Sequence, residues 1–207
     1  MYKKFIFLLL TIFLKFSFVY GDEDSKILIA YFTWAENTIV TNPSQIDVDA
    51  VTSASVLFPG NVAKMANWIQ EEVGGELVSI KVKEPYSSNY DECLDRSSEE
   101  KADSARPELE TQVEDISKYD TIFIGYPNWW YTAPMAIFSF IENNDLSGKK
   151  IILFCSHGTG GLARSVRDIR EALPKDVKLE TNVIGIYRDD IPEGQERIKN
   201  WLNEIRY

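Results

Sequence analysis

Two adjacent indoles, Trp129 and Trp130, follow the apolar run Thr121-Ile122-Phe123-Ile124-Gly125-Tyr126 and Pro127. A run of this kind predicts a strand covered on both faces, as in a parallel sheet, and ligands of open α/β sheets bind outside the carboxyl ends of such strands. Broad aromatic faces at that place suit a flat ligand. A second apolar run, Lys150 to Cys155, ends in Ser156-His157-Gly158-Thr159-Gly160-Gly161, where glycines let backbone amides approach a ligand closely. The two loops are expected to wall one crevice. A third polar loop, Thr33-Trp34-Ala35-Glu36-Asn37-Thr38, follows the first apolar run. Its hydroxyls and amide, with backbone N–H groups before a helix, can donate to a phosphate. Turn geometry alone also accounts for threonine and asparagine there. Glu36 is an awkward neighbour for a dianion and is expected to turn its side chain to solvent.

Other chemistries fare worse. Cys155, Ser156 and His157 carry the groups of a hydrolase, but near neighbours in an extended segment do not aim at one another, and His157 is the only histidine. Gly158 to Ala163 fits G-x-G-x-x-A, yet it falls too late in the chain to open a dinucleotide-binding unit. No His/Cys cluster has metal-ligand spacing. His157 is either a proton donor or substrate contact, or a loop histidine with no catalytic duty. No catalytic residue is assigned.

The elements that must position these loops alternate. Strands are predicted at 26–32, 77–82, 121–125, 150–155 and 182–187. Helices are predicted at 61–72, from Pro134 onward, at 162–173 and at 193–205, with a short one at 90–102. Gly74-Gly75 stops the first of them, and Pro107 breaks anything helical near it. Strand and helix in alternation imply an α/β fold, a doubly wound five-stranded parallel sheet of order 2-1-3-4-5 with helices on both faces. The stretch from Thr33 to Gly60 is long for a loop within a domain, and such loops are usually functional.

Residues 1–21 read as an export signal: Lys3 and Lys4, an apolar core from Phe5 to Val19, and a cleavage site near Val19-Tyr20-Gly21. An uncleaved amino-terminal membrane anchor is the alternative, and it keeps membrane proximity open. Residues 22–207 then form one domain. The full chain carries −10, and the leader's three lysines make the remainder more negative still. That charge argues against nucleic acid as a partner and suits solubility, or docking to a basic partner. Of the two cysteines, Cys155 is expected to be buried and free, with a Cys93–Cys155 disulfide as the alternative.

From Lys26 onward the chain resembles the flavodoxin-like family, and within it an exported or bacterial branch with the pattern strand, Pro-x-Trp-Trp, helix, strand, His-Gly-x-Gly-Gly. The resemblance implies noncovalent FMN at the carboxyl ends of the strands. The family's first loop, of Ser/Thr-x-Thr-Gly-Asn-Thr type, holds the FMN phosphate, and Thr33, Trp34, Ala35, Asn37 and Thr38 stand at those positions. Ala35 and Glu36 replace the usual Thr-Gly, and Ile39 to Pro59 reads as an insertion that takes the first helix farther from the phosphate. The second loop, Pro127, Asn128, Trp129, Trp130, Tyr131 and Thr132, would lie against the isoalloxazine. Trp129 is the expected stacking partner, and one of the two indoles is expected to pack under the following helix. Many relatives carry glycine after the aromatic pair, where a peptide can reorient as flavin N5 is protonated; Tyr131 departs from that pattern. The third loop, Ser156, His157, Gly158, Gly160 and Gly161, would line the pyrimidine side through backbone amides. Asp49 to Ser55 loosely resembles an acceptor motif for covalent FMN, which would put the flavin on Ser55.

Three functions follow from the resemblance. Electron transfer comes first, with a redox partner protein or a quinone-type small molecule. An FMN-dependent NAD(P)H or quinone reductase is the alternative, disfavoured by the scarcity of NAD(P)H outside the cytoplasm. A flavin-free binding module is the third.

Overall fold

The structure, a computed structural model, describes residues 26–52 and 55–207. The expected export signal lies outside the described residues. Strand β1 (Ile27–Tyr31) is buried along its whole length because it lies inside the sheet, with β2 (Glu76–Ser79) on one side and β3 (Thr121–Pro127) on the other. Strand β4 (Lys150–His157) pairs with β3, and all these pairings are parallel. Two short strands, β5 (Lys178–Leu179) and β6 (Ile184–Tyr187), share the outer edge of β4. The order is therefore 2-1-3-4-5, as expected, with the fifth position divided into two pieces.

One face of the sheet presents Ile29, Phe123, Ile152 and Phe154 to α2 (Asn61–Val73) and α6 (Gln195–Glu204), which contribute Met65, Ile69, Ile198 and Leu202. Leu28, Ile122, Ile124 and Leu153 face the other way, toward α4 (Met135–Asn143) and α5 (Ser165–Ala172). Helix α3 (Tyr90–Ala102) reaches this second core mainly through Cys93, and its span matches the expected 90–102. Burial on both faces explains why the central strands read as continuous apolar runs.

The stretch from Thr33 to Gly60 is only partly irregular. It holds single 3-10 turns at Trp34–Glu36 and Pro43–Gln45 and the short helix α1 (Val48–Thr52). Strand β2 stops at Ser79 rather than Val82 because the next backbone groups turn to a side chain: Asn37 Nδ2 donates to Ile80 O (3.0 Å), and Val82 N donates to Asn37 Oδ1 (2.8 Å). Helix α5 begins at Ser165 rather than Leu162. Ser165 N closes a turn onto Leu162 O (3.0 Å), with Ala163 at φ +44°. A 3-10 turn, Arg188–Glu193, occupies the start expected for the last helix.

The register brings the two walls together. Pro127 at the end of β3 pairs with Ser156 on β4, and Asn128 N donates to Ser156 O (2.9 Å), extending the ladder into the loops. His157 pairs with Tyr187 at the end of β6.

Candidate functional site

A cavity of about 320 Å³ opens at the carboxyl ends of β1, β3 and β4. Thr33 and Trp34 line it from the first loop; Pro127, Asn128, Trp129, Trp130 and Tyr131 from the second; and Ser156, His157, Gly158 and Gly160 from the third. The expected loops thus meet in one crevice. Ala35, Asn37, Thr38, Thr132 and Gly161 are outside its lining. Ser55, Asn61 and Val62 at the head of α2, Tyr90, Cys93, Leu94 and Ser97 on α3, and Arg188 complete most of the wall.

The second loop is a hairpin tip. Trp129 N donates to Thr132 O (2.9 Å) and Thr132 N to Trp129 O (3.0 Å), leaving Trp130 and Tyr131 as the two turn residues with φ of +51° and +66°. Positive φ at both positions is a type I′ arrangement, which glycine or asparagine would adopt with less strain. Neighbouring elements hold it in place. Trp130 Nε1 donates to Leu94 O (3.1 Å) and Ser97 Oγ (3.0 Å), and Lys101 Nζ donates to Trp130 O (2.6 Å). From the other side, Arg164 N donates to Tyr131 O (3.1 Å) and Thr132 Oγ1 donates to Asp168 (2.8 Å). The side chain of Asn128 bridges to the third loop, Nδ2 donating to Gly161 O (2.5 Å).

The two indoles line the cavity from different surroundings. Trp129 packs edge-to-face with Phe32, Tyr86 and Trp34, at ring-centroid distances of 5.4, 5.3 and 6.5 Å. Trp130, 38% exposed, is hydrogen-bonded to α3, while Trp129 packs against the core that includes Met135 and Ala136 of α4. Tyr131 is 62% exposed and lies along Gly160, where a Cβ would come within 3.3 Å of its ring.

The first loop spends most of its polar groups on structure. Asn37 is buried, with Nδ2 donating to Thr33 O and Ile80 O and Oδ1 accepting from Val82 N. Thr38 Oγ1 donates to Tyr86 O (2.7 Å). Glu36 does not turn away to solvent. It accepts from the hydroxyl of Tyr31 (3.0 Å), whose pKa burial and this carboxylate push up. Nor does the insertion separate the helix from the loop: a Cβ on Gly60, the residue before α2, would overlap the Thr33 hydroxyl. Ser55 Oγ accepts from Asn61 N (2.8 Å) and so belongs to the head of the same helix. The signal for this arrangement was the dipeptide Gly60-Asn61 just ahead of the periodic helix, a Gly-Asn pair displaced from Thr33 by the insertion.

On the third loop, His157 Nδ1 lies 2.8 Å from Gly158 O, and the ring rests on Gly185, where a Cβ would meet it at 3.0 Å. Arg188 brings its Nη1 to 3.4 Å from the place a Cβ on Gly158 would take. Sequence reasoning did not single out Arg188, although a cation directly behind the last strand's carboxyl end was visible. Both cysteines are buried and free. Burial pushes the Cys93 thiol up to about 12, with Glu100 adding to the rise and Arg96 opposing it, and it pushes Cys155 up further.

Hydroxyls and a helix start at one end, with aromatic rings and a glycine loop at the other, can hold a ligand that is part anionic and part flat. Similar structures exist. A provisionally assigned flavoprotein of Bacteroides eggerthii DSM 20697 is 29% identical, with a TM-score of 0.66 over 88% of this chain and 99% of its own. Another from Bacteroides uniformis ATCC 8492 is 26% identical, with a TM-score of 0.67 over 86% and 98%. A Lactobacillus acidophilus NCFM flavoprotein in complex with FMN shares the fold at 19% identity, with a TM-score of 0.58 over 83% and 99%. No curated protein matches. Residues 48–205 match the family model described as flavodoxin, a span that holds, among the described residues, every α-helix and every strand but β1. On that match, and with the sheet order it shares, the chain belongs to the flavodoxin family.

Proposed function

We propose that the protein binds one FMN noncovalently in this crevice and carries electrons for a redox partner protein or a quinone-type molecule, acting outside the cytoplasm after export. One observation carries the reading: the aromatic loop after β3 and the head of α2 open into the same cavity, between the loops of β1 and β3 where the strand order reverses. About 320 Å³ is within the range of small-molecule sites.

The residues fit the group at both ends. Thr33, Ser55 and Asn61 surround the start of α2, where the helix dipole favours a phosphate. Trp129 and Trp130 offer ring faces or edges to the isoalloxazine, and the loop from Ser156 to Gly160 offers backbone amides. FMN would supply the electron chemistry, and the protein would set its orientation and potential. The Trp130 and Tyr131 carbonyls are both hydrogen-bonded, which favours a second loop that keeps one conformation in both redox states. Ser55 is engaged at the helix start, which supports noncovalent attachment.

Titration of the purified protein with FMN, followed by quenching of flavin and tryptophan fluorescence, tests the reading. One-to-one binding, weakened in Trp129→Ala, is expected. NAD(P)H should not be oxidised at a catalytic rate, with or without an added quinone. Absence of FMN binding at micromolar protein would overturn the proposal.

A further inference from the structure

Every large hydrophobic side chain that is exposed, among the described residues, stands on one of two segments that contribute to the cavity wall. Ile39, Val48, Val51, Leu57 and Phe58, the last 75% exposed, belong to the stretch between β1 and α2. Trp130 and Tyr131 form the hairpin tip and line the cavity themselves. Ser55 lines it from the first segment, two residues before Leu57. Exposed apolar residues gathered in this way mark an interaction surface, whereas single scattered ones need no explanation. The patch has a fixed support. Ala50 and Val56 are buried in the core, and Val56 N donates to Ala50 O (3.1 Å), which ties the Leu57-Phe58 run to α1. Val48 and Val51, three apart on α1, share a helix face.

Charge distinguishes among the occupants such a patch could take. From 27 to 63 the only charged side chains are Glu36, Asp47 and Asp49, and from 119 to 148 they are Asp120, Glu142 and Asp145, with no lysine or arginine in either stretch. Glu36 accepts from Tyr31, whereas Asp47 and Asp49 are exposed on either side of Val48. Two cations at the hairpin are already engaged: Lys101 donates to Trp130 O, and Arg164 pairs with Asp168. A second copy would bring the same acids together, in chains that each carry −10. An anionic lipid surface meets the same repulsion, and α1, with five residues, offers little apolar helix to a bilayer interface. An apolar face ringed by lysine or arginine complements both the patch and its charge.

We propose that this surface, centred on Leu57 and Phe58 and continued by Tyr131 of the hairpin, docks a partner protein that presents an apolar face with a basic rim. The inference deepens the electron-carrier reading and rests on it for what the partner exchanges, since a partner seated on both segments lies over the cavity they line.

Synthetic peptides of equal length, built from leucine with lysine, serine with lysine, or leucine with glutamate, stand in for the partner's docking face in binding measurements on the full chain. The leucine–lysine peptide should bind at least about ten-fold more tightly than either of the others, and less tightly at about 200 mM salt than at about 50 mM. Leu57→Ser with Phe58→Ser should weaken it at least about five-fold, and Asp47→Asn with Asp49→Asn about two- to three-fold. Asp176→Asn, just before β5 and beside the start of β4 at the opposite end of the sheet, should leave it unchanged. An unaltered urea midpoint in each variant is the control for folding. Equal binding of the serine–lysine peptide would mean charge alone, and equal binding of the leucine–glutamate peptide apolar contact alone; either overturns the proposal. So does a failure of the leucine–lysine peptide to bind, or its indifference to the Leu57 and Phe58 changes. Dimerisation in sedimentation, or retention on phosphatidylcholine vesicles, that those changes abolish would assign the surface to a second copy or to lipid and overturns it too. The FMN titration is read separately: a wild type that binds the peptide but no FMN overturns the carrier reading and leaves the docking surface, and one that binds FMN but no peptide does the reverse.

Discussion

Gly60 and Thr33 are packed so closely that a Cβ on the glycine would overlap the threonine hydroxyl, and Gly60 has φ +82° and ψ 158°. That backbone region is open almost only to glycine. The contact fixes the head of α2 against the exit of β1 and so keeps the proposed anion end of the crevice in one piece. Gly60→Ala is expected to cost about 2–4 kcal/mol by urea denaturation, from backbone strain and overlap together. FMN affinity should fall with it. Adding Thr33→Ala should recover about 1 kcal/mol, since the clash goes but the strain stays, and a double-mutant cycle reads that recovery directly.

Asn37 holds three backbone groups on one buried side chain: two carbonyls, of Thr33 and Ile80, and the Val82 N–H. Asn37→Ala leaves the Ile80 carbonyl and the Val82 N–H without partners and the Thr33 carbonyl with only Glu36 N at 3.3 Å. A loss of about 2–4 kcal/mol in denaturant unfolding is expected, with riboflavin and FMN affinity reduced alike because no ligand contact is removed.

Asn37 also marks the limit of what the sequence disclosed. Its type and place in the first loop matched a phosphate-binding motif, and nothing local distinguishes an asparagine that donates to a ligand from one that replaces a β ladder. The central strands were legible because burial on both faces makes them continuously apolar, as in β3 and β4. The Trp-Trp and glycine loops were legible because they follow such strands directly. Gly60-Asn61 and Arg188 stood in view, but their contacts did not, since their partners in space are distant in sequence, and a chain read locally cannot show that an insertion folds back to Thr33. The split edge strand escaped for another reason: β5 has only two residues, too few for any periodicity.

Tyr131 occupies a left-handed position (φ +66°) at the tip of the aromatic hairpin and is mostly exposed. Glycine relieves the strain that an L side chain incurs there. Tyr131→Gly is expected to stabilise the ligand-free protein by up to about 1 kcal/mol, provided the ring's contact along Gly160 contributes less than the relief. Removing that ring uncovers the third loop, so the dissociation rate of bound FMN should rise. Thermal melting and stopped-flow fluorescence measure the two effects separately.

Asp168 ties the same hairpin to α5. Its carboxylate accepts from Thr132 Oγ1 (2.8 Å) and from Arg164 Nε (2.9 Å), with Arg167 Nε at 3.6 Å. Desolvation alone would raise its pKa, but the hydrogen bonds from Thr132 and Arg164 and the two guanidinium charges outweigh it and hold the group below the usual carboxylate value. A depressed folded pKa means the ionised form is favoured by folding. Its contribution is complete above the unfolded pKa, about 3.9, and is lost as pH falls through the folded value. Asp168→Asn should therefore be less stable than wild type at pH 7, by about 1–2 kcal/mol. The gap should narrow steadily between about pH 5 and pH 3, where wild type loses its charge and the variant has none to lose. Urea midpoints at pH 7, 5 and 3.5 read this out; a gap independent of pH would mean that the Thr132 contact, not the charge, anchors the loop.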